Sequence, residues 1–207
     1  MAGFFITFEG PEGSGKTTCA KALSTLLSEQ GKEVIYTREP GGIAIAEKIR
    51  EIILDPQNQA MDAKTEALLY AASRRQHLVE KILPALKAGK IVLCDRFVDS
   101  SLVYQGIGRG LGIDTVYQMN LFAIEDVMPN LTIFFDVMPE VGLARIAADQ
   151  KREINRLDME SLAFHEKVYA GYVQVAKQFP SRIVRVDASQ SPQDVLTAVM
   201  NVVRSRL

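Results

Sequence analysis

Gly10, Gly15, Lys16 and Thr17 fit the spacing G-x-x-x-x-G-K-[ST], spelled GPEGSGKT over residues 10–17. Glycines placed this way let backbone N–H groups wrap phosphate oxygens at a helix start, where the dipole favours negative charge. In that arrangement Gly10, Pro11, Glu12, Gly13, Ser14, Gly15, Lys16, Thr17 and Thr18 make a nucleoside triphosphate site. Lys16 would reach the β- and γ-phosphates, and the Thr17 hydroxyl would hold Mg²⁺. A chance Gly-rich turn could match the same pattern. The flanks argue against chance, because the apolar run FFITF at 4–8 reads as a buried strand and residues 18–30 read as a helix.

Other residues of chemical interest cluster in three places. The run IVLCDR at 91–96 is an apolar strand ending in an acid and a base. Ligands of open parallel sheets bind at the carboxyl ends of strands. Asp95 could therefore hold Mg²⁺ opposite Thr17, and Arg96 could meet phosphate oxygens. A surface Asp–Arg pair is the plainer reading, but beside a phosphate loop it is the weaker one. Arg38 and Glu39 precede the tight Pro40-Gly41-Gly42 turn and could enter the same cleft. Asp99, Ser100, Ser101, Tyr104 and Gln105 follow the Asp95-Arg96 strand end. Their polar groups could read a sugar or a base edge, or Asp99 or Ser100 could merely cap a short helix.

The elements that must position these groups alternate along the chain. Candidate strands fall at 4–9, 33–37, 90–94, 131–136 and 183–187, with helical patterns at 17–30, 43–54, 64–88, 114–127, 140–148, 159–178 and 191–206. This alternation predicts an α/β fold, a parallel sheet with helices on both faces, in one domain spanning 1–207. On the helix at 64–88, Leu68, Ala72, Val79 and Leu86 form one apolar stripe. Tyr70, Arg74 and His77 fall on another face at spacings of four and three. An aromatic ring one turn from a guanidinium can be a base-stacking platform, though an exposed Tyr beside a snorkelling Arg is the commoner arrangement. On the helix before it, Ile49, Ile52 and Ile53 supply an apolar face, and Arg50 points to solvent by default. The segment 149–156, DQKREINR, is polar and basic. It reads equally as a solvated connection or as a lid that closes over phosphates.

Composition bounds the rest. Lys and Arg number 24 against 25 Asp and Glu in 207 residues, so net charge suggests neither a nucleic-acid nor a membrane partner. Cys19 and Cys94 sit in apolar or helical surroundings and read as reduced, buried thiols. The two histidines, His77 and His165, are isolated in sequence and suggest no transition-metal site. The first residues run straight into a strand with no secretory pattern, and no apolar run reaches spanning length. The expected location is the cytoplasm.

The combination of motifs resembles the bacterial thymidylate kinases, of the kind found in Gram-positive bacteria. It comprises FEGPEGSGKTT at 8–18, TREPGG at 37–42, AASRR at 71–75, DRFVDSSLVYQG at 95–106 and NRLD at 155–158. The phosphate loop alone is common to many families, but its conjunction with TREPGG and DR[YFH]-x₂-S-x₃-Y-Q is far more specific. The resemblance implies a P-loop NTPase fold with a five-stranded parallel sheet and a short basic lid at about 149–156. It implies Mg²⁺- and ATP-dependent phosphorylation of dTMP to dTDP on the route to dTTP, by a homodimer. Glu39 matches the acid of TREPGG in the acceptor region. Arg50 and Arg96 match arginines that grip the acceptor phosphate. Tyr70 stands where a thymine-stacking aromatic, commonly Phe, is found. Arg74 matches a thymine contact, and Ser100, Ser101, Tyr104 and Gln105 match residues lining sugar and base. Phe97 replaces a common Tyr. Some relatives carry an arginine in the phosphate loop, where Gly13 stands here, preceded by Glu12. The missing cation is expected from the lid, from Lys151, Arg152 or Arg156, with Arg145 on the preceding helix as an outside candidate. Lys16, Arg96, Arg152 and Arg156 are thus the expected catalytic cations.

Two rival readings remain at this level. One is a related kinase acting on another nucleoside monophosphate or on a nucleoside, although a nucleoside needs no paired grip from Arg50 and Arg96. The other is a nucleotide-timed switch. It lacks support because no N-K-x-D follows the fourth strand and Asp95-Arg96 differs from D-x-x-G.

Overall fold

A strand buried on both faces needs apolar side chains in consecutive positions, and the five strands have them. The computed structural model of the protein describes residues 3–148 and 155–207. Strands β1 (Phe4–Glu9), β2 (Val34–Arg38), β3 (Ile91–Asp95), β4 (Leu131–Asp136) and β5 (Ile183–Asp187) form one sheet in the order β2-β3-β1-β4-β5. Every ladder is parallel, as the P-loop NTPase fold requires. Side-chain alternation divides the core in two. Ile6, Phe8, Leu93, Ile133 and Phe135 pack on α1 (Lys16–Glu29) and α9 (Pro192–Arg204). Phe5, Val92 and Phe134 face the other way. They meet residues of α3 (Ala63–His77), α5 (Val98–Ser101), α6 (Ile113–Ile124) and α8 (Leu162–Gln178). The remaining helices are α2 (Ala44–Leu54), α4 (Leu83–Lys87) and α7 (Pro139–Ala148).

Three expectations are corrected. The helix expected over 64–88 is interrupted by a π-helical turn, Leu78–Ile82, before α4 resumes with Pro84 in its first turn. Proline has no N–H for the i−4 carbonyl, so the ladder widens where it would fail. Secondly, the expected apolar stripe faces outward at Leu68, Ala72 and Val79, and of its four members Leu86 alone packs on the core. Leu68 is 59% exposed and Ala72 and Val79 are exposed, while the polar face with Arg74 and His77 is buried. Inward polar groups find partners on neighbouring elements, which periodicity alone cannot foresee. Ile52 on α2 is likewise half-exposed. Thirdly, neither Asp99 nor Ser100 caps α5; its N-cap is Phe97, without a side-chain bond. Asp99 instead accepts two bonds from Arg182, at 2.6 and 2.8 Å. A second π-helical run, Leu102–Gly108, continues α5 and carries Tyr104 and Gln105.

The sheet's carboxyl edge sets the level of the functional residues. Asp95 lies in register with Phe8 of β1 and with Arg38 of β2. Beyond the strands, Glu39 N–H donates to Asp95 O at 2.9 Å and Arg96 N–H to Phe8 O at 3.0 Å. Arg96 takes a φ of 70°. Such left-handed geometry in a residue other than glycine costs about 1–3 kcal/mol and persists only where the surroundings impose it.

Two close approaches hold the loop at 10–15 in place. A Cβ on Gly142 of α7 would stand 2.2 Å from Glu12 O, and one on Gly13 would stand 2.1 Å from Gly142 O. Beneath the loop, Glu9 is buried and accepts from Phe97 N–H at 2.7 Å, Ser100 Oγ at 2.5 Å and Tyr172 Oη at 3.1 Å. Burial, aided by the charge of Asp99, raises the Glu9 carboxyl to about 7 against the opposing bonds from Ser100 and Phe97 and the charge of Arg96.

Gly142→Ala should therefore overpack the loop contact and cost about 1–3 kcal/mol. An unchanged unfolding midpoint in urea would show that α7 can move away freely. A pH effect follows from Glu9. Its folded pKa lies above the ordinary 4.5, so its stabilising contribution is complete below that pH and is lost as pH rises through about 7. Glu9→Gln removes this titration. Compared between pH 5 and 8, the variant should gain stability relative to the wild type on the order of 1–3 kcal/mol as pH rises. Parallel pH curves would contradict the raised pKa.

Candidate active site

A cavity of about 1180 Å³ opens at the carboxyl edge of the sheet. On one side lie Glu12 to Thr18 of the loop and the first turn of α1. Gly15 is the N-cap of α1 with a φ of 86°, where no Cβ-bearing residue sits easily. Gly10 and Pro11 stand behind the cavity wall; their carbonyls accept from Lys16 Nζ at 3.0 and 2.8 Å, and Ser14 Oγ accepts at 3.1 Å. Burial and the nearby Arg96 charge lower the Lys16 pKa to about 8, against the pull of Glu12, Asp95 and Glu9. The Thr17 hydroxyl makes a short bond to the Asp95 carboxylate across the cavity floor. A hydroxyl and a carboxylate so placed are hard oxygen donors, the set that suits a partly hydrated Mg²⁺.

The opposite side carries the residues expected to bind the acceptor. Arg96 forms an ion pair with Glu12 at 2.8 Å and donates to Gly10 O and the Tyr172 hydroxyl at 3.1 and 3.0 Å. Its guanidinium lies 5.1 Å from the centroid of the Tyr104 ring. Burial works against the charge of Arg96, but Glu12 and neighbouring groups hold its pKa well above the ordinary value. Arg50 does not point to solvent. It is half-buried, lines the cavity and donates to Pro40 O at 3.0 Å. Burial and the Arg38 charge lower its pKa. Tyr70, Ser100, Ser101, Tyr104 and Gln105 also reach the wall.

Arg74 and Glu39 line the cavity from within a buried network. Arg74 donates to Glu39 at 2.7 Å, Ser101 at 2.9 Å, the Phe97 carbonyl at 2.9 Å, and Asn120. These bonds engage four of its five N–H groups. His77, uninformative in sequence, joins Glu39 Oε1 at 3.0 Å to Thr37 Oγ1 at 2.7 Å. Donor atoms of Glu39, His77 and Cys94 come within 4.8 Å of one another. They are nevertheless committed to partners in this network: Glu39 to Arg74 and His77, and Cys94 to Arg96 O at 3.1 Å.

The lid expectation divides. Lys151 and Arg152 lie outside the described residues. Arg156 is described and does not line the large cavity. It starts a 3₁₀ turn, Arg156–Met159, and its side chain is buried. Its guanidinium pairs with Glu66 at 2.5 Å and donates to Ile53 O at 2.9 Å, so burial and pairing remove it from the role of a free cation. Arg145 does reach the cavity and donates to Ala188 O at 3.0 Å. Glu66 was missed in the sequence, yet Glu66, Tyr70 and Arg74 are spaced by four, and following that period one turn back exposes it. Tyr172 gave no comparable signal. Its position depends on α8 crossing beneath Arg96 and Ser100.

A family model described as thymidylate kinase matches residues 8–199. Among curated relatives, a thymidylate kinase of Geobacillus sp. (strain WCH70) is 58% identical over 210 aligned residues, covering all of both chains. A thymidylate kinase of Bacillus licheniformis is 60% identical over 207 residues, covering all of this chain and 98% of the relative. Among solved structures, thymidylate kinase from Ehrlichia chaffeensis superposes with a TM-score of 0.79 at 34% identity, covering 98% of this chain and 99% of the other. With the phosphate loop and the arginine-lined wall on one sheet edge, these matches have a single meaning: the chain belongs to the thymidylate kinase family.

Proposed function

We propose that this chain transfers the γ-phosphoryl group of ATP to dTMP, giving dTDP and ADP, within the one cavity that joins the phosphate loop to Arg96 and Arg50. That juxtaposition is the observation that carries the reading. In the transfer, an oxygen of the dTMP phosphate attacks the γ-phosphorus, and the bond from that phosphorus to the β–γ bridging oxygen breaks. Both reactants are polyanions, so their approach requires fixed positive charge. Lys16 leaves the Gly10 and Pro11 carbonyls for the donor phosphates. Arg96 and Arg50 orient the acceptor phosphate for in-line attack. Thr17 and Asp95 are the residues that would hold Mg²⁺, which when bound neutralises phosphate charge. Arg152 is the lid cation we assign to the transferred group, with Arg156 serving as the lid's root.

Recognition of the nucleoside follows from the far wall. Tyr70 stacks on thymine, Arg74 uses its remaining N–H group, and Gln105 offers its amide. Tyr104, Ser100 and Ser101 line the deoxyribose, and Glu39 keeps Arg74 in place. We read the chain as one domain over 1–207 with a lid at about 149–156, supported by cores built from elements along its length. No helix among the described residues is long and apolar enough to cross a membrane. We assign the work to the cytoplasm on the two buried, unpaired thiols, Cys19 and Cys94, which suit a reducing compartment.

The working form we propose is a homodimer. Ile52 of α2, Leu68 of α3 and Phe122 of α6 are 49%, 59% and 89% exposed, and these three helices are neighbours. An apolar surface of this kind is covered economically by a second copy of itself.

Arg50→Ala tests the acceptor reading. It should raise the KM for dTMP at least tenfold and change the KM for ATP less than twofold; an unchanged dTMP KM sinks the assignment. Phe122→Glu buries a charge in the proposed interface and should yield monomers by sedimentation. A variant that still sediments as a dimer rules out this face.

A further inference from the structure

Glu66 does not itself line the large cavity, yet it is 1% exposed and charged. A buried carboxylate is costly unless its oxygens are satisfied. Here several donors converge on it. Gln105 Nε2 donates to Oε1 at 2.9 Å. Arg109 donates to both oxygens, through Nε at 3.2 and 3.3 Å and a terminal nitrogen at 3.1 Å. Arg156 donates to Oε2 at 2.5 Å. Arg109 also pairs with Glu160 at 2.6 Å, so the cluster balances two guanidiniums against two carboxylates. Burial pushes the Glu66 carboxyl up, but bonds from Arg109, Gln105 and Arg156 prevail and hold it below its ordinary value.

The donors come from parts of the chain with different duties. Gln105 belongs to the π-helical run on the acceptor wall. Arg156 is the last residue of the basic segment and stands between Asn155 and Leu157, both of which line the cavity. Its Nε anchors it to Ile53 O, at the end of the helix that carries Arg50. Glu66 itself is one turn before Tyr70 on α3. We propose that Glu66 is a positioning residue that fixes the Gln105 amide and Arg156, at the start of the 3₁₀ turn, on a single carboxylate, so that base recognition and the placement of that turn are set together. This rests on the reading of Gln105 as a base contact. A Gln side chain has two amide hydrogens and a carbonyl oxygen, and pinning one hydrogen on Glu66 orients the rest toward the cavity. A guanidinium fork spanning Ile53 O and Glu66 fixes direction as well as distance, which an ammonium cannot do. Misplacement of about 1 Å at a reacting centre can cost a hundredfold in rate, so such remote anchors matter for phosphoryl transfer.

The test uses the full-length enzyme with ATP and dTMP. Glu66→Gln keeps the volume and removes the charge. It should raise the KM for dTMP at least tenfold and lower kcat at least fivefold, with the KM for ATP within twofold. A merely structural role would reduce the active fraction and so kcat alone. Gln105→Ala should raise the dTMP KM in the wild-type background but add less than twofold in the Glu66→Gln background, because the amide is already misdirected there. Arg156→Lys keeps the charge and loses the fork; it should lower kcat at least fivefold, and it decides the matter should Glu66→Gln fail to fold. A dTMP KM within twofold of wild type in Glu66→Gln, multiplying effects in the double variant, or an unchanged kcat in Arg156→Lys would each overturn the inference. If Gln105→Ala alone leaves the dTMP KM unchanged, the base-contact reading falls first, and this inference with it.

Discussion

The ion pair between Arg96 and Glu12, 2.8 Å long and mostly buried, ties the end of β3 to the phosphate loop. Nearly everything else in the cavity is arranged around it. Arg96 is held in left-handed geometry by the strand edge, by Gly10 O and by Tyr172, so its guanidinium has one direction available. Glu12 is held from behind by the contact between Gly13 and Gly142, where no side chain fits. The arginine-lined wall and the phosphate loop are thereby kept at a fixed separation. In-line transfer between two phosphates depends on that separation more than on any covalent role of the protein.

A cavity built to accept polyanions has a difficulty when empty: its cations repel one another. Lys16 registers this directly, with burial and the charge of Arg96 bringing its pKa to about 8. The chain's answer is local compensation. Arg38 pairs with Glu47, Arg74 with Glu39, Arg96 with Glu12, and Arg109 and Arg156 with Glu66. This explains why overall charge was silent about the substrates: the carboxylates that balance the site hide it from any sum over the sequence. The Arg38–Glu47 pair is partly exposed; the others are largely buried, and buried pairs contribute little net stability but fix orientation. Arg96 and Lys16 themselves line the cavity, whereas Arg156 does not and is held by Ile53 O and Glu66.

The β-strands were legible because burial on both faces leaves apolar runs with sharp ends. β1, β4 and β5 match the expected limits, and β2 and β3 begin and end one residue later than expected. The phosphate loop was legible because its glycines, its lysine and a hydroxyl-bearing Ser or Thr have no substitutes there. The interior of α3 was not. An apolar stripe through Leu68 normally marks a core face, yet the core face here is Glu66, Arg74 and His77, satisfied by Gln105, Glu39, Asn120 and Thr37. Those partners come from distant parts of the chain, and no window along the sequence contains both halves of a pair. Arg156 illustrates the same limit from the other side. Its place in a basic run suggested mobility, while its true surroundings, Ile53 O and Glu66, lie 103 and 90 residues away.

The inverted helix joins these two themes. α3 carries Tyr70 and Arg74 to the cavity wall and Glu66 to Arg156, while Leu68 on the same turns faces outward. Polar contacts on the inner face are directional and keep the helix from rotating; the exposed apolar stripe on the outer face has no such demand and is satisfied by any well-packed cover. A second copy of the chain resting on Leu68 and Phe122 would therefore add burial without disturbing the inner hydrogen bonds. It would also press on the backbone turns that hold Tyr70 against the cavity. In that case assembly and the cavity wall would share one rigid element, and a helix that is polar within and apolar without would answer to a different partner on each face.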